Sequence, residues 1–279
     1  MTTAIRNNRA QQYCRPRKSV VSHPAESIKA GTSCEIKDPE VEDLSREAFK
    51  ENQEVYQIPP WKRVLDISVS LTAILILSPV FLLIAIYIKI VSNGPLLFRQ
   101  ERVGFQGRVF TCLKFRTMKV GACTNGHQCY FQDLIKSEKP MTKLDSKGDS
   151  RIIPMGWVLR ATGLDELPQV FNVLIGDMSI VGPRPSIPSE FEHFSDYQRK
   201  RCNTLPGLTG LWQVSGKNNT TFSEMIDFDV KYTESKTLWM DLGIIIKTPI
   251  ALIEQLKQTY FARIREEITP NREAANLKA

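Results

Sequence analysis

A chain of 279 residues is long enough to bury one large core or two small ones. Its 37 Lys and Arg against 30 Asp and Glu leave a formal net charge of +7, which favours an anionic partner: a phosphorylated substrate, an anionic lipid surface or nucleic acid. The six cysteines, at positions 14, 34, 112, 123, 129 and 202, form no Cys-x-x-Cys pair; this argues against a disulfide framework and for reduced thiols facing a cytosol.

Residues 1–57 are polar, mixed in charge and poor in large apolar side chains. Such a segment buries too little to offset its ordering entropy, so a disordered arm is expected. No apolar stretch follows the basic start, so no cleavable signal is expected either. The composition then changes. After Trp61-Lys62-Arg63 and Asp66, the run from Ile67 to Ile88 carries no charge and ends at Lys89. It is long enough for a bilayer helix, since about 20 apolar residues cross the hydrocarbon core. Ser78-Pro79 lies at its middle, where proline removes a helix hydrogen bond and a kink is expected. Basic residues on both flanks satisfy the positive-inside bias if both ends face the cytoplasm, which is the geometry of a re-entrant hairpin bent at Ser78 and Pro79; a straight spanning helix is the alternative.

From Gly94-Pro95 the pattern becomes strand-like and turn-rich through Leu96–Gln100 and Val109–Met118. If the second piece is extended, alternation places Lys114 and Arg116 on one side, either as a phosphate-holding pair or as solvated edge charges. No Walker loop and no Gly-x-Gly-x-x-Gly occurs, so a P-loop or Rossmann nucleotide site has no support. Residues 119–148 read as a polar insertion; within it Cys123, His127 and Cys129 lack the fourth partner of a tetrahedral metal site.

Arg160 opens a stretch in which Asp165 and Glu166 stand beside Leu167, Val170, Phe171 and Leu174 at helical spacing, with Pro168 at a tolerated first-turn position. A helix start is expected there. Its backbone charge suits either an acidic cap, with Thr162 and Asp165 as a capping box, or a carboxylate that attacks a phosphoryl group. Arg184, between Pro183 and Pro185, sits on a stiff turn that suits an oxyanion contact or a purely structural bend. Pro206-Gly207-Leu208-Thr209-Gly210 supplies tight-turn glycines. The segment from Leu238 to Phe261 is apolar-rich but too charged to span a bilayer, leaving core packing or an interfacial position open. A charged, frayed tail is expected from 263 to 279.

Taken together, Lys62-Arg63-Val-Leu-Asp66, Ser78-Pro79, Gly94-Pro95 to Gly107, Lys114-Phe115-Arg116-Thr117-Met118, Leu164–Gln169, Gly176–Pro185 and Pro206–Gly210 resemble the bacterial sugar transferases, the monotopic polyprenyl-phosphate phosphoglycosyl transferases that start cell-surface glycan assembly. The resemblance covers most of residues 61–250. It departs from the family at Ile153, where threonine is usual, and at Ala161-Thr162-Gly163, where a Lys-Thr-Ser-like triplet is usual.

The resemblance implies an α/β, mostly α, monotopic protein: a re-entrant helix over 58–92, a compact cytosolic catalytic domain over 93–262, and a place on the cytoplasmic face of the bacterial inner membrane. It implies transfer of a sugar-1-phosphate from a UDP-sugar to polyprenyl (undecaprenyl) phosphate. UMP would be released through a phosphosugar-aspartate, with Mg²⁺ as cofactor and exopolysaccharide, O-antigen, capsule or glycoprotein glycan as the pathway. Asp165 is then the nucleophile, Glu166 the metal ligand, and Lys114, Arg160 and Arg184 hold anions; Arg116 joins them only through the strand alternation. Membrane lipid is a partner and nucleic acid is not. A membrane-anchored phosphohydrolase and a non-enzymatic membrane scaffold are the competing readings of the same residues.

Overall fold

A computed structural model describes residues 57–121, 151–216 and 220–276, with side chains through residue 261. The expected N-terminal arm, the bulk of the 119–148 insertion and the Cys123, His127, Cys129 set lie outside the described residues. Within them the protein is mostly helical, with two two-stranded sheets.

Helix α1, Pro60–Val91, opens on proline, whose missing N–H is no loss in a first turn. It is long and apolar enough to cross a membrane, and few residues of its most apolar window are buried. Its pattern is inverted relative to a water-soluble helix. Lys62, Asp66 and Ser70, at i, i+4 and i+8, are completely buried, while Val64, Leu71, Leu75, Ile76, Leu82 and Leu83 are exposed. Helical spacing thus gathers the polar groups into one seam against the protein and turns the apolar groups outward. Water is a poor solvent for that outer face; hydrocarbon is a good one.

The interruption expected at Ser78-Pro79 does not end the helix. α1 is helical throughout, with Pro79 inside it. Proline leaves the carbonyl four residues earlier without its usual donor, and that is the carbonyl of Leu75. Ser78 Oγ donates to this oxygen at 3.0 Å, so the adjacent hydroxyl replaces the lost N–H and the polar atom is satisfied even among apolar neighbours.

Strands β1 (Leu97–Val103) and β2 (Val109–Phe115) form an antiparallel hairpin pairing Leu97 with Phe115 and Val103 with Val109. Beyond β2, Met118 and Ile152 form an isolated antiparallel bridge, and Lys119 N donates to Arg151 O at 2.8 Å. Helix α2 (Gly156–Thr162) follows, then a 3-10 turn, Leu164–Glu166, and helix α3 (Gln169–Ile175). The second sheet pairs β3 (Ser179–Val181) in parallel with β4 (Gly207–Thr209). Gly182 and Gly207 make this crossing possible: a Cβ on Gly207 would fall 2.1 Å from Gly182 N, so backbone meets backbone with no space for a side chain.

Short helices α4 (Pro188–Phe191), α5 (Asp196–Arg199) and α6 (Leu211–Val214) lead to α7 (Phe222–Ser235), which starts at a Thr221–Glu224 capping box. Helix α8, Leu238–Asn276, is continuous. The tail expected from residue 263 therefore begins inside a helix.

Lys62 and Arg63, read from the sequence as charges flanking a membrane segment, are instead structural ties. Lys62 Nζ donates to Val181 O (2.8 Å), Tyr232 Oη (2.9 Å) and Asp241 Oδ2 (2.7 Å). Arg63 places Nη1 2.6 Å from Val173 O and Nη2 2.5 Å from Leu174 O, satisfying carbonyls at the end of α3 as a cation is suited to do. Four positions beyond Lys62, Asp66 Oδ1 accepts from Ser179 Oγ and Ile180 N, both at 2.8 Å. At the other end of α1, Ile84 and Ile88 are buried with Phe115, Ile153 and Leu159. Phe81 stacks near Phe115 and Phe171, with ring centres 5.7 and 6.0 Å apart. The two described cysteines, Cys112 and Cys202, are free thiols, as expected, and both are buried. Burial pushes the Cys202 thiol up to about 11.

Candidate active site

The acid pair is held by its neighbours in sequence. In Leu164-Asp165-Glu166-Leu167 both leucines pack into the cluster built on Ile84, Ile88 and Phe115, which fixes the turn between α2 and α3. Gly163 makes the turn possible: it ends α2 in the left-handed region, with φ of 73°, where a side chain is strained. Asp165 is 8% exposed, whereas the Glu166 side chain is 40% exposed. Adjacent carboxylates therefore meet different environments.

This differs from the helix start expected from the apolar spacing. Asp165 and Glu166 occupy a 3-10 turn, with Glu166 N bonded to Gly163 O and Leu167 N to Leu164 O, and α3 begins only after Pro168. The Thr162–Asp165 capping box does not form. The Thr162 hydroxyl points back to Val158 O (2.8 Å) and Leu159 O (3.1 Å) instead, the back-bonding common for a threonine within a helix.

Lys114, on β2, donates to Glu166 Oε1 at 2.6 Å. This brings one predicted cation to the dyad from a different element. The register that permits it is set by Asn172 of α3, which is buried. Asn172 Oδ1 accepts from Leu113 N at 3.0 Å and Nδ2 donates to Thr111 O at 2.7 Å. The carboxamide thus does for this edge of β2 what the peptide of a third strand would do, locking α3 beside the strand that bears Lys114. Asn172→Ala would leave a strand N–H and C=O without partners, at about 1–3 kcal/mol each. We expect a lowered melting temperature together with reduced activity, and an unchanged melting temperature would show that α3 is registered by something else.

The other predicted cations are distributed differently. Arg160, on α2, donates to Thr117 Oγ1 at 3.3 Å, near the end of β2. Arg116 bonds elsewhere than Lys114 does. It lies one residue past β2 and is buried, with Nη1 and Nη2 bonded to Asn93 O (3.1 Å) and Ser92 O (2.8 Å). Its backbone N–H still bonds across the hairpin to Leu96 O at 3.0 Å, and the guanidinium ties down the chain leaving α1.

Arg184 stands on the turn after β3 and lines a small cleft with Gly104, Ser186, Arg201 and Cys202. Its turn is clamped from two sides. Arg102 Nη1 donates to Pro185 O (3.1 Å), and Arg201 Nη2 donates to Arg184 O (2.8 Å) and pairs with Asp229 (2.5 Å). Burial, with Arg184's positive charge as a second cause, lowers Arg102 to about 10. The turn expected to be stiff from its prolines is thus stiffened mainly by two buried arginines.

Sequence reasoning missed Asn172, Arg102 and Arg201, and it read Lys62 and Asp66 only as flanks. For the last two a signal existed: charges four residues apart on one helix face, just before an apolar run, are candidates for a shared partner surface. Among the described residues no group of three or more His, Cys, Asp or Glu side chains comes together as a metal cage.

Residues 57–255 match the family described as bacterial sugar transferase. The exopolysaccharide production protein ExoY of Sinorhizobium fredii is 38% identical over 192 residues, covering 67% of this chain and 83% of that protein. The undecaprenyl-phosphate galactose phosphotransferase of Salmonella typhimurium is 40% identical over 188 residues, covering 67% of this chain but 39% of that protein. The UDP-glucose:undecaprenyl-phosphate glucose-1-phosphate transferase of Caulobacter vibrioides is 38% identical over 201 residues, covering 69% of each. The match spans α1, both sheets, the acid dyad and the first part of α8, and the chain belongs to the bacterial sugar transferase family.

Proposed function

We propose that this protein transfers a sugar-1-phosphate from a UDP-sugar to polyprenyl phosphate at a membrane surface, using Asp165 as a covalent nucleophile. The observation that carries the reading is the 2.6 Å contact between Lys114 and Glu166 beside Asp165. Two relatives that match about two thirds of this chain are named as an undecaprenyl-phosphate galactose phosphotransferase and a UDP-glucose:undecaprenyl-phosphate glucose-1-phosphate transferase.

The chemistry follows from the charges. In the first half, an Asp165 carboxylate oxygen attacks the phosphorus that carries the sugar, the bond from that phosphorus to UMP breaks, and UMP leaves with the electron pair. In the second half, an oxygen of polyprenyl phosphate attacks the same phosphorus and the aspartate leaves, giving the polyprenyl diphosphosugar and free Asp165. Both halves bring an anion to an anion, so cations must lower the repulsion. Lys114 is already at the dyad, Arg160 is held beside the end of β2, and Arg184 is presented on its clamped turn. Burial of Asp165 keeps competing water away from the covalent adduct, while the more open Glu166 meets the substrate phosphates.

The residues fit a magnesium ion of the kind that takes one or two carboxylates and completes its shell with water and substrate phosphates, without a protein cage. Glu166 would hold it, and when bound it would neutralise charge on the diphosphate. Glu166→Gln is expected to lower turnover by at least about 100-fold, with extra Mg²⁺ rescuing it poorly. An unchanged magnesium titration would remove Glu166 as the ligand.

The re-entrant reading of α1 is supported by its contacts. Arg63 and Phe81 are eighteen positions apart, about 27 Å along a straight helix, yet both touch α3, which is only seven residues long. Cysteines introduced at Val64 and Ile90, one near each end, should be labelled from the same membrane face; labelling from opposite faces would establish a spanning helix. The function itself is tested by incubating the membrane-reconstituted protein with a panel of UDP-sugars, Mg²⁺ and lipid acceptor. UMP release coupled to lipid product is expected. Release without acceptor dependence would identify a hydrolase, and no release with any sugar a scaffold.

A further inference from the structure

The inward face of α8 touches the chain at the bend that precedes the acid dyad. At 100° per residue, Asp241, Ile244, Thr248, Leu252 and Gln255 fall within an arc of about 80°, so one stripe about 21 Å long carries them all. Each meets a different part of the fold. Asp241 pairs with Lys62 of α1, Ile244 is buried in one cluster with Val181 of β3, and Thr248 Oγ1 lies 2.8 Å from Thr209 Oγ1 of β4. The last two residues reach the dyad segment. Leu252 Cδ2 is 3.5 Å from the place a Cβ on Gly163 would occupy, and Gln255, 6% exposed, donates from Nε2 to Ala161 O at 3.2 Å.

Ala161 O is a significant acceptor. α2 ends at Thr162, and the last carbonyls of a helix receive no donor from the helix itself. Ala161 O is the atom to which Asp165 N–H would bond if α2 ran on, but Gly163 turns the chain into the left-handed region and the two acids fall on a 3-10 turn. The Gln255 carboxamide brings a donor to that carbonyl from another element. It thereby ties down the peptide between Arg160 and the dyad.

Leu164 and Leu167 hold the same turn by apolar packing, which has no preferred direction. Packing sets how deep the turn sits. A hydrogen bond to a backbone carbonyl also restricts how the peptide is rotated, and the aim of the Asp165 carboxylate at a phosphorus depends on that rotation. Displacements of about 1 Å are enough to matter for such an attack. The same helix reaches the other side of the site through Thr209, whose carbonyl accepts from Gly182 N at 2.9 Å, two residues before Arg184. One continuous helix therefore connects the Arg184 turn with the nucleophile.

We infer that Gln255 is a positioning residue for Asp165: through Ala161 O it holds the dyad turn in the orientation from which the carboxylate attacks, with no contact of its own to the substrate. This rests on Asp165 as the nucleophile of the transfer proposed above.

The test uses the full chain in nanodiscs, without lipid acceptor, mixed with whichever of UDP-glucose, UDP-galactose or UDP-N-acetylglucosamine releases UMP from the parent. Rapid quenching gives the rate constant of adduct formation at saturating donor, and mass spectrometry gives its amplitude, the fraction of molecules that carry the phosphosugar at completion. Gln255→Met keeps the length of the side chain and removes its donor. It is expected to slow adduct formation by about 100-fold, with the half-saturating donor concentration and the amplitude close to those of the parent. Gln255→Asn, whose carboxamide is drawn back by one methylene, should fall between the two. A purely structural role would lower the amplitude and leave the rate constant of the remaining molecules unchanged, which would overturn the inference. A raised half-saturating concentration at the parental rate constant would overturn it as well, by making Gln255 a determinant of binding. If Gln255→Met does not fold, the rate constant of Gln255→Asn decides: slowed supports the inference, parental overturns it. A parent protein that releases UMP but carries no adduct would remove the covalent reading and this inference together, whereas a parental adduct with unslowed variants would remove this inference alone.

Discussion

Asp165→Asn is expected to abolish UMP release and to leave no phosphosugar on the protein, with turnover reduced by about 10⁴-fold or more. The substitution is nearly isosteric, and Leu164 and Leu167 hold the turn from either side by packing that does not involve the carboxylate. The expected loss is therefore chemical, and the melting temperature should stay close to that of the parent. Mass spectrometry of the parent protein mixed with UDP-sugar in the absence of lipid acceptor should reveal one added sugar phosphate, localised to the peptide containing Asp165. If the asparagine variant kept parental turnover or the adduct mapped elsewhere, Asp165 would lose the nucleophile role. An adduct that forms but transfers only to water would retain the nucleophile and replace the lipid acceptor.

The largest effect on stability is expected at Lys62→Met. Lys62 and Asp241 are completely buried and paired at 2.7 Å. Tyr232 sits beside the pair, accepting from Lys62 and donating from its hydroxyl to Val181 O or Asp241 Oδ1. Burial, then the Asp241 charge, raises the Tyr232 hydroxyl far above its ordinary value, so it remains a donor at every physiological pH. Removing the ammonium strands a carboxylate in the interior, and breaking a buried pair from one side costs about 3–5 kcal/mol. Much of a marginal domain's stability is of that size. Denaturation in detergent or nanodiscs should show the loss, and Lys62→Met combined with Asp241→Leu should recover part of it because the Asp241 charge is no longer left unpaired. A Lys62→Met variant with parental stability would mean that the pair is dispensable and that α1 is seated by its Ile84–Ile88 end alone.

What was legible in the sequence divides along the range of the interactions. The strand-like pieces that become β1 and β2 were readable because alternation and turn residues are local, while their pairing was not. So was the apolar run of α1, whose composition needs no partner to be recognised. The dyad stood out as two acids beside an apolar repeat, but its 3-10 geometry did not, because Pro168 and Gly163 divide one apparent helix into a turn and a shorter helix. The backbone carbonyls of Asn93 and Ser92 that Arg116 bonds could not be foreseen, because they lie 23 and 24 positions away. The polar seam of α1 was hidden for a different reason: the partners of Lys62 and Asp66 lie between 113 and 179 positions away. Asn172 gave no sign either, since one asparagine in a helical pattern looks the same whether it faces water or closes a strand edge.

The seam along α1 also bears on how such a protein could be made water-soluble. Cutting the chain after residue 91 to free the catalytic part would remove Arg63 from the carbonyls of α3, the Asp66 carboxylate from β3 and Lys62 from Asp241. It would also uncover Phe115 and Leu159, which pack against Ile84 and Ile88. The helix is an internal strut of the enzyme whose outer surface happens to be greasy. A soluble derivative would therefore keep every residue of α1 that faces inward and exchange only outward positions such as Leu71, Leu75, Ile76, Leu82 and Leu83 for polar ones. The boundary between anchor and catalyst runs along the length of this helix, and no peptide bond divides them.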